Sequence, residues 1–161
     1  MANLDSFYPA WTSRVLSVLR IVGALLLIAP GAQKLFGFLA APGMTSPPAF
    51  SQMWVGGVLE FFGGALLLVG LFTRPVAFIL SGMTAVAYFQ FHAPGGFWPL
   101  QNKGESAVLY CFVFLFLAVA GGGAWALDRL LRRGRAGRAC KTSLHFTYPS
   151  RVNTHRFRRD R

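Results

Sequence analysis

The sequence predicts an all-α integral membrane protein, a four-helix transmembrane bundle followed by a basic, disordered C-terminal tail. Three observations carry that expectation. The 161 residues are 54% hydrophobic and 13% charged, far too apolar for a soluble domain of this length. Four stretches, at about residues 17–38, 54–72, 75–92 and 106–127, approach the ~20 mostly apolar residues that a helix needs to cross the hydrocarbon core. Charge is also segregated: 11 of the 16 Lys and Arg follow Asp128, leaving Arg14, Arg20, Lys34, Arg74 and Lys103 before it. The chain therefore divides into a membrane domain over residues 1–130 and a tail over 131–161.

The first span, "RIVGALLLIAPGAQKLFGFLA", holds Arg20, Pro30, Gln33 and Lys34. Its apolar centre also fits a signal-peptide core with cleavage near "APGA". The pattern resumes beyond that point as "LFGFLAA", which favours a retained span. Spans two and three are separated by residues 73–75, with Gly70 just before and Pro75 opening the next helix, where a missing amide is tolerated. So short a link dictates an antiparallel helical hairpin. The loop between spans one and two holds Pro42, Gly43, Pro47 and Pro48, and "APGGFWPLQNKG" joins three to four. Both read as ordered turns.

Arg14, Arg20, Arg74, Arg129, Arg132 and Arg133 flank the spans on one side, whereas Lys34 and Lys103 lie on the other. The positive-inside rule then places both termini in the cytoplasm of a multi-pass protein. Trp54, Trp98 and Trp125 fall near span ends, as interfacial aromatics do.

Polar residues within the spans are the candidates for function. A charge in a span is costly, about 2.5–3.5 kcal/mol even on lenient insertion scales. In span two, Gly56, Glu60, Gly63 and Gly70 share one helical face, where small residues admit a neighbouring backbone. Glu60 is therefore expected inside the bundle. Arg20, Gly23, Ala24, Leu27, Gly31 and Lys34 form a stripe on span one, and Ser81, Ala85, Tyr88 and His92 one on span three.

Depth then groups the charges. At 1.5 Å per residue, Lys34 lies roughly 6 Å and Glu60 about 10 Å from the outer end of their spans. A polar cluster of Lys34, Glu60, His92 and Glu105, with Gln33 and Gln90 nearby, is expected in the outer half. A plainer reading stands beside it. Lys34 and Glu60 would satisfy one another as a structural pair, His92 would be an interfacial residue, and Glu105 would serve the N-terminus of span four. The triple glycine at 121–123 reads as a close helix contact, since no strand precedes it to make a phosphate loop.

Several chemistries are disfavoured. Cys111 and Cys140 form no CxxC motif or metal-spaced pair. A haem held by two histidines lacks its second membrane histidine, because His145 and His155 lie in the tail. No metal site, resident cofactor or nucleotide motif is evident. The arginine-rich tail is expected to meet anionic lipid. Charge without a motif is weak support for nucleic-acid binding.

Over about residues 14–130 the chain resembles the DoxX family of small bacterial inner-membrane proteins. The likeness rests on Arg20 opening span one, "GAQKLFGF" closing it, "GGVLEFFGGALLLVGLFTRP", "MTAVAYFQFH", "NKGESAVL" and "GGGAWALD". The resemblance implies a four-span inner-membrane bundle, with some relatives linked to thiosulfate:quinone oxidation or to a membrane oxidoreductase complex handling thiol stress. Ala126 departs from the Ser that the family often has before Leu-Asp, and the tail lies outside the likeness. The leading expectation is a membrane subunit that docks a protein partner in a redox complex, quinone- or thiol-linked. It admits a quinone, with Glu60 and His92 handling protons. Two alternatives are a proton-coupled transporter or permease subunit and a structural membrane anchor.

Overall fold

The computed structural model describes residues 4–38, 40 and 46–131. The tail expected over 131–161, with its disorder and lipid contacts, lies outside them apart from Leu131. The described residues form helices and turns, with no strand among them. The helices are α1 (Leu4–Phe36), α2 (Gln52–Val69), α3 (Thr73–Gly95), α4 (Pro99–Asn102) and α5 (Glu105–Ala120). A last helical turn covers residues 127–131.

Length and composition suit three of these to crossing a membrane: Trp11–Phe36 within α1, α2 and α3. The fourth expected span, 106–127, is shorter than the sequence implies. Helix α5 has 16 residues, which is about 24 Å. It stops at Ala120 because Gly121 and Gly123 take left-handed backbone, with φ of 90° and 78°, a conformation that suits glycine and ends a helix. The triple glycine is thus a turn and not a stretch of helix. It still serves close contact, since a Cβ on Gly123 would lie 2.4 Å from Ser17 Oγ.

Helix α1 packs along α2, and α3 along α5. Ala24, Leu27, Leu67, Ala77, Leu80, Phe114 and Leu117 make the fully buried core between them. Outward-facing Phe78, Phe89, Phe112 and Val119 stay more than half exposed, the apolar coat that a lipid-facing surface requires. Local chemistry closes each turn. Ser51 N-caps α2 by accepting from Trp54 N–H at 3.2 Å. The other end of α2 closes with Gly70 at φ 76° and bonds from Leu71 N to Leu66 O and from Gly70 N to Leu67 O, both 3.0 Å, the Schellman pattern.

The glycine face expected on α2 is split in the fold. Its middle, Leu59–Gly63, is π-helical, and the extra residue in that turn rotates the rest of the helix about its axis. Gly57 and Gly64, not the anticipated Gly56 and Gly63, meet α1. A Cβ on Gly64 would lie 2.7 Å from Ile28 Cγ1, and one on Gly57 3.0 Å from Lys34 Cβ. Gly63 faces Leu80 of α3 at 2.9 Å, whereas Gly56 has nothing within 4 Å. The stripe expected on α1 is buried along its length at Arg20, Gly23, Ala24, Leu27 and Gly31, with Lys34 half-buried.

This seam yields a graded prediction. A Cβ on Gly31 would fall 2.6 Å from the Phe61 backbone nitrogen, so Gly31→Ala is expected to destabilise the bundle by about 1–3 kcal/mol through overpacking. Gly56→Ala is expected to stay within about 0.5 kcal/mol of the parent. Thermal unfolding in detergent micelles checks both.

Candidate functional site

Polar groups collect at the two ends of the bundle. At one end Arg20, 1% exposed, reaches across from α1. Its Nε donates to Gly122 O at 3.0 Å and its Nη2 to Trp125 O at 3.3 Å. Its Nη1 donates to Leu68 O at 2.7 Å and to Leu67 O. Carbonyls at the end of α2 and in the glycine turn are left over where a helix stops, and the guanidinium fork donates to four carbonyls there, Leu67 O also taking the Gly70 amide. Asp128 completes this end, accepting from Phe72 N at 2.9 Å and Thr73 N at 2.8 Å at the start of α3. Its charge also acts on Arg20. Ser17 accepts from Trp125 N at 3.1 Å and donates to Ser13 O at 3.0 Å. With Nε, Nη1 and Nη2 all bonded to carbonyls, this arginine end is a structural lock.

At the opposite, lysine end the helices part around a cavity of about 350 Å³. Its polar lining comes from all four long helices: Lys34 of α1, Glu60 of α2, Thr84 and His92 of α3, and Ser106 and Tyr110 of α5. Leu27, Met53, Met83 and Phe91 supply apolar wall. Lys34 Nζ donates to both Glu60 oxygens, at 2.7 and 2.8 Å, and 13% of the Glu60 side chain is exposed. The pair forms because Gly31 and Gly57 let α1 and α2 approach until the two stems lie side by side.

Two π-helical turns shape this end: Leu59–Gly63 carries Glu60, and Tyr88–His92 carries His92. Such turns open the backbone ladder and re-aim side chains. His92 Nδ1 lies 3.1 Å from Asn102 O, and the ring stacks on Tyr88 with centroids 6.4 Å apart. Asn102 in turn donates through Nδ2 to Gly96 O at 2.6 Å and to Tyr88 Oη at 3.4 Å, and accepts from Gly104 N at 2.8 Å. Tyr88 donates to Phe97 O. The loop between α3 and α5 is thereby tied to the face that bears His92.

Of the four residues expected to cluster, Lys34, Glu60 and His92 line one cavity, the first two in direct contact. Glu105 does not join them; it is exposed in the first turn of α5, where an acid complements the helix dipole. Gln90 is exposed and bonds Gln52 of α2. Gln33 lines a neighbouring recess of about 200 Å³ that shares Lys34 and Met53 with the main cavity. No group of three or more His, Cys, Asp or Glu residues is placed to hold a metal among the described residues.

Sequence reasoning misses Thr84, Tyr110 and Asn102. Thr84 donates to Leu80 O and Ser81 O, both 3.0 Å, and Tyr110 feels the charge of Glu60. One signal is available. Thr84 precedes Tyr88 by four residues, and so continues the polar stripe of span three along the helix.

The ion pair is open to a direct test. Removing one charge leaves its partner enclosed and unpaired, expected to cost about 3 kcal/mol, whereas removing both is far milder. Glu60→Gln and Lys34→Met are each expected to lower thermal stability in detergent, and the double variant to recover most of the loss. A double-mutant cycle measures the coupling.

Comparison with known proteins fits this arrangement. The family model described as DoxX matches residues 15–93. An uncharacterized protein of Haemophilus influenzae is 41% identical over 132 residues, covering 80% of this chain and 96% of that protein. The inner membrane protein YqjF of Escherichia coli is 30% identical over 133 residues, 72% of this chain and 91% of that one. An uncharacterized membrane protein of Mycobacterium tuberculosis is 26% identical over 160 residues, 83% and 95% respectively. No solved structure gives a significant match. Arg20, Lys34, Glu60, Thr84 and His92 fall within the matched segment, and the chain belongs to the DoxX family of membrane proteins.

Proposed function

We propose that the chain is a membrane subunit of a redox system, receiving a quinone-class head group in the cavity at the lysine end and docking a protein partner that carries the electrons. The observation that supports this is the cavity itself. Its volume of about 350 Å³ falls in the range of small-molecule sites, roughly 300–1,000 Å³. Its wall alternates Met, Leu and Phe with a few polar groups, the lining such sites use. A quinone, when bound, supplies two-electron and two-proton chemistry. The chain's own residues fit such a guest: Met83 and Phe91 border the ring space, Tyr110 and Ser106 offer hydroxyls, and Glu60 and His92 are groups able to accept a proton. The polypeptide brings no dithiol motif, so the electrons are assigned to the partner.

A second reading, a proton-coupled transporter subunit, draws on the recess of about 200 Å³ that meets the cavity at Lys34 and Met53. Two spaces that share the lysine of a charged pair suit a passage. Glu60 would then be its protonatable coupling group.

Orientation belongs to the same proposal. Both termini face the cytoplasm of a bacterial inner membrane, with the arginine end inward. Arg14, Arg74 and Arg129 are exposed at that end, and Lys103 is exposed at the other. Arg20 drops out of this count because it is buried. The basic tail over 131–161 would add contact with anionic lipid.

Three measurements test these readings. Reporter fusions after residue 100 and at the C-terminus are expected to read outside and inside; a C-terminal fusion that reads outside overturns the orientation. In lipid nanodiscs, a short-chain quinone is expected to quench tryptophan fluorescence saturably. Gly56 lines the cavity with open space beside it, so Gly56→Leu is expected to fill the site and weaken binding at least roughly tenfold, a loss of one hydrogen bond's order. Equal binding by the parent and this variant, or none by the parent, removes the quinone reading. Proton-coupled solute flux in liposomes would favour the second.

A further inference from the structure

We propose that the cavity selects the reduced, hydroxyl-bearing form of its aromatic ligand, a hydroquinone or phenol, over the carbonyl-bearing quinone. This rests on reading the cavity as a quinone-class site. It goes further by naming which redox form the fixed polar groups recognise.

His92 is the first of those groups. A backbone carbonyl only accepts, so the contact between His92 Nδ1 and Asn102 O at 3.1 Å places the proton of the neutral ring on Nδ1. Asn102 is not part of the cavity wall, and His92 is. With its proton on Nδ1, the ring keeps a lone pair and no hydrogen on Nε2, the one ring nitrogen of this cavity-lining residue that is not engaged with Asn102. Stacking on Tyr88 and the ties of Asn102 to Gly96, Gly104 and Tyr88 hold the ring in that sense.

Thr84 is the second. Its single hydroxyl proton is shared between Leu80 O and Ser81 O, which leaves the oxygen to face a ligand only as an acceptor. Glu60 is the third. Both its oxygens take hydrogen bonds from Lys34, and a carboxylate retains further lone pairs but no proton. Against these three acceptors stands one committed donor, the remaining Nζ hydrogen of Lys34. The hydroxyls of Tyr110 and Ser106 rotate to give or accept, and so do not discriminate.

A hydroquinone brings O–H donors to this set. A quinone brings carbonyl lone pairs and would leave the acceptors facing acceptors, the mismatch that polar sites reject most strongly. Because His92 holds one of the acceptors on Nε2, replacing it with a ring that has no lone pair should reduce the preference while keeping the shape.

The test compares the two redox forms of one short-chain quinone, bound anaerobically to the full-length chain in nanodiscs. The parent protein is expected to bind the hydroquinone roughly tenfold more tightly than the quinone, one hydrogen bond's worth of discrimination. His92→Phe is expected to lower the ratio, chiefly by weakening the hydroquinone, with Thr84 and Glu60 keeping the remaining preference. Equal affinity for the two forms in the parent, or preference for the quinone, overturns the selection while leaving the cavity as a quinone-class site. A ratio unchanged in His92→Phe overturns the role of the histidine. Binding of neither form removes the site and this inference together. The parent comparison requires no variant, so a poorly folded His92→Phe leaves the central claim exposed to refutation.

Discussion

Burial of the Arg20 guanidinium is the constraint around which the bundle is arranged. A charge within an apolar span is tolerated only when its hydrogens are engaged and lipid is kept away. Four carbonyls from two separate segments take four of its five hydrogens, from Leu67, Leu68, Gly122 and Trp125. To deliver them, α2 must stop at Gly70 and α5 at Ala120, and the chain after α5 must fold back toward Ser17. The stops of two helices, made by Gly70 and Gly121, the short hairpin between α2 and α3, and the path of residues 121–128 thus converge on one side chain. Asp128 extends the lock by holding the first amides of α3 and lying within electrostatic reach of Arg20.

A bundle locked at one end is free to part at the other. The core of Leu67, Leu80, Phe114 and Leu117 lies between the two, and beyond it α1 to α5 diverge around the cavity. The π-helical turns belong to this half. Each sacrifices regular backbone pairing in the segment that carries a cavity charge or imidazole, Glu60 in one and His92 in the other. Irregular backbone at such a depth is sustained only where it lines a cavity or is enclosed by protein.

Much of this is legible in the sequence because helical periodicity is strict. The stripe from Arg20 to Lys34 predicts the buried face of α1, and helix depth alone brings Lys34 to Glu60. The illegible part depends on departures from the α-helix. No spacing rule anticipates a π turn, and spacing does not choose between Gly56 with Gly63 and Gly57 with Gly64, since both pairs share a helical face with Glu60; in the fold the second pair meets α1. The end of the last span is hidden by apolar composition, since "GGGAWAL" continues a greasy run while its glycines turn the chain. Arg20 reads as an interfacial cation because sequence cannot show that carbonyls wait for it. Glu105 has the depth of the polar cluster, yet its position around the helix turns it outward.

The shortness of α5 also shapes the surrounding lipid. Its 16 residues give an apolar wall of about 24 Å, against a hydrocarbon thickness of about 30 Å, while the apolar part of α1 runs for 26 residues. The helices of residues 4–131 therefore present walls of unequal height, tall along α1 and low along α5. Lipid beside α5 must thin to meet it, at a fraction of a kcal/mol per Å of mismatch. That distortion is relieved when another low-walled helix lies alongside, so the low wall gives these helices a preferred edge in the plane of the bilayer.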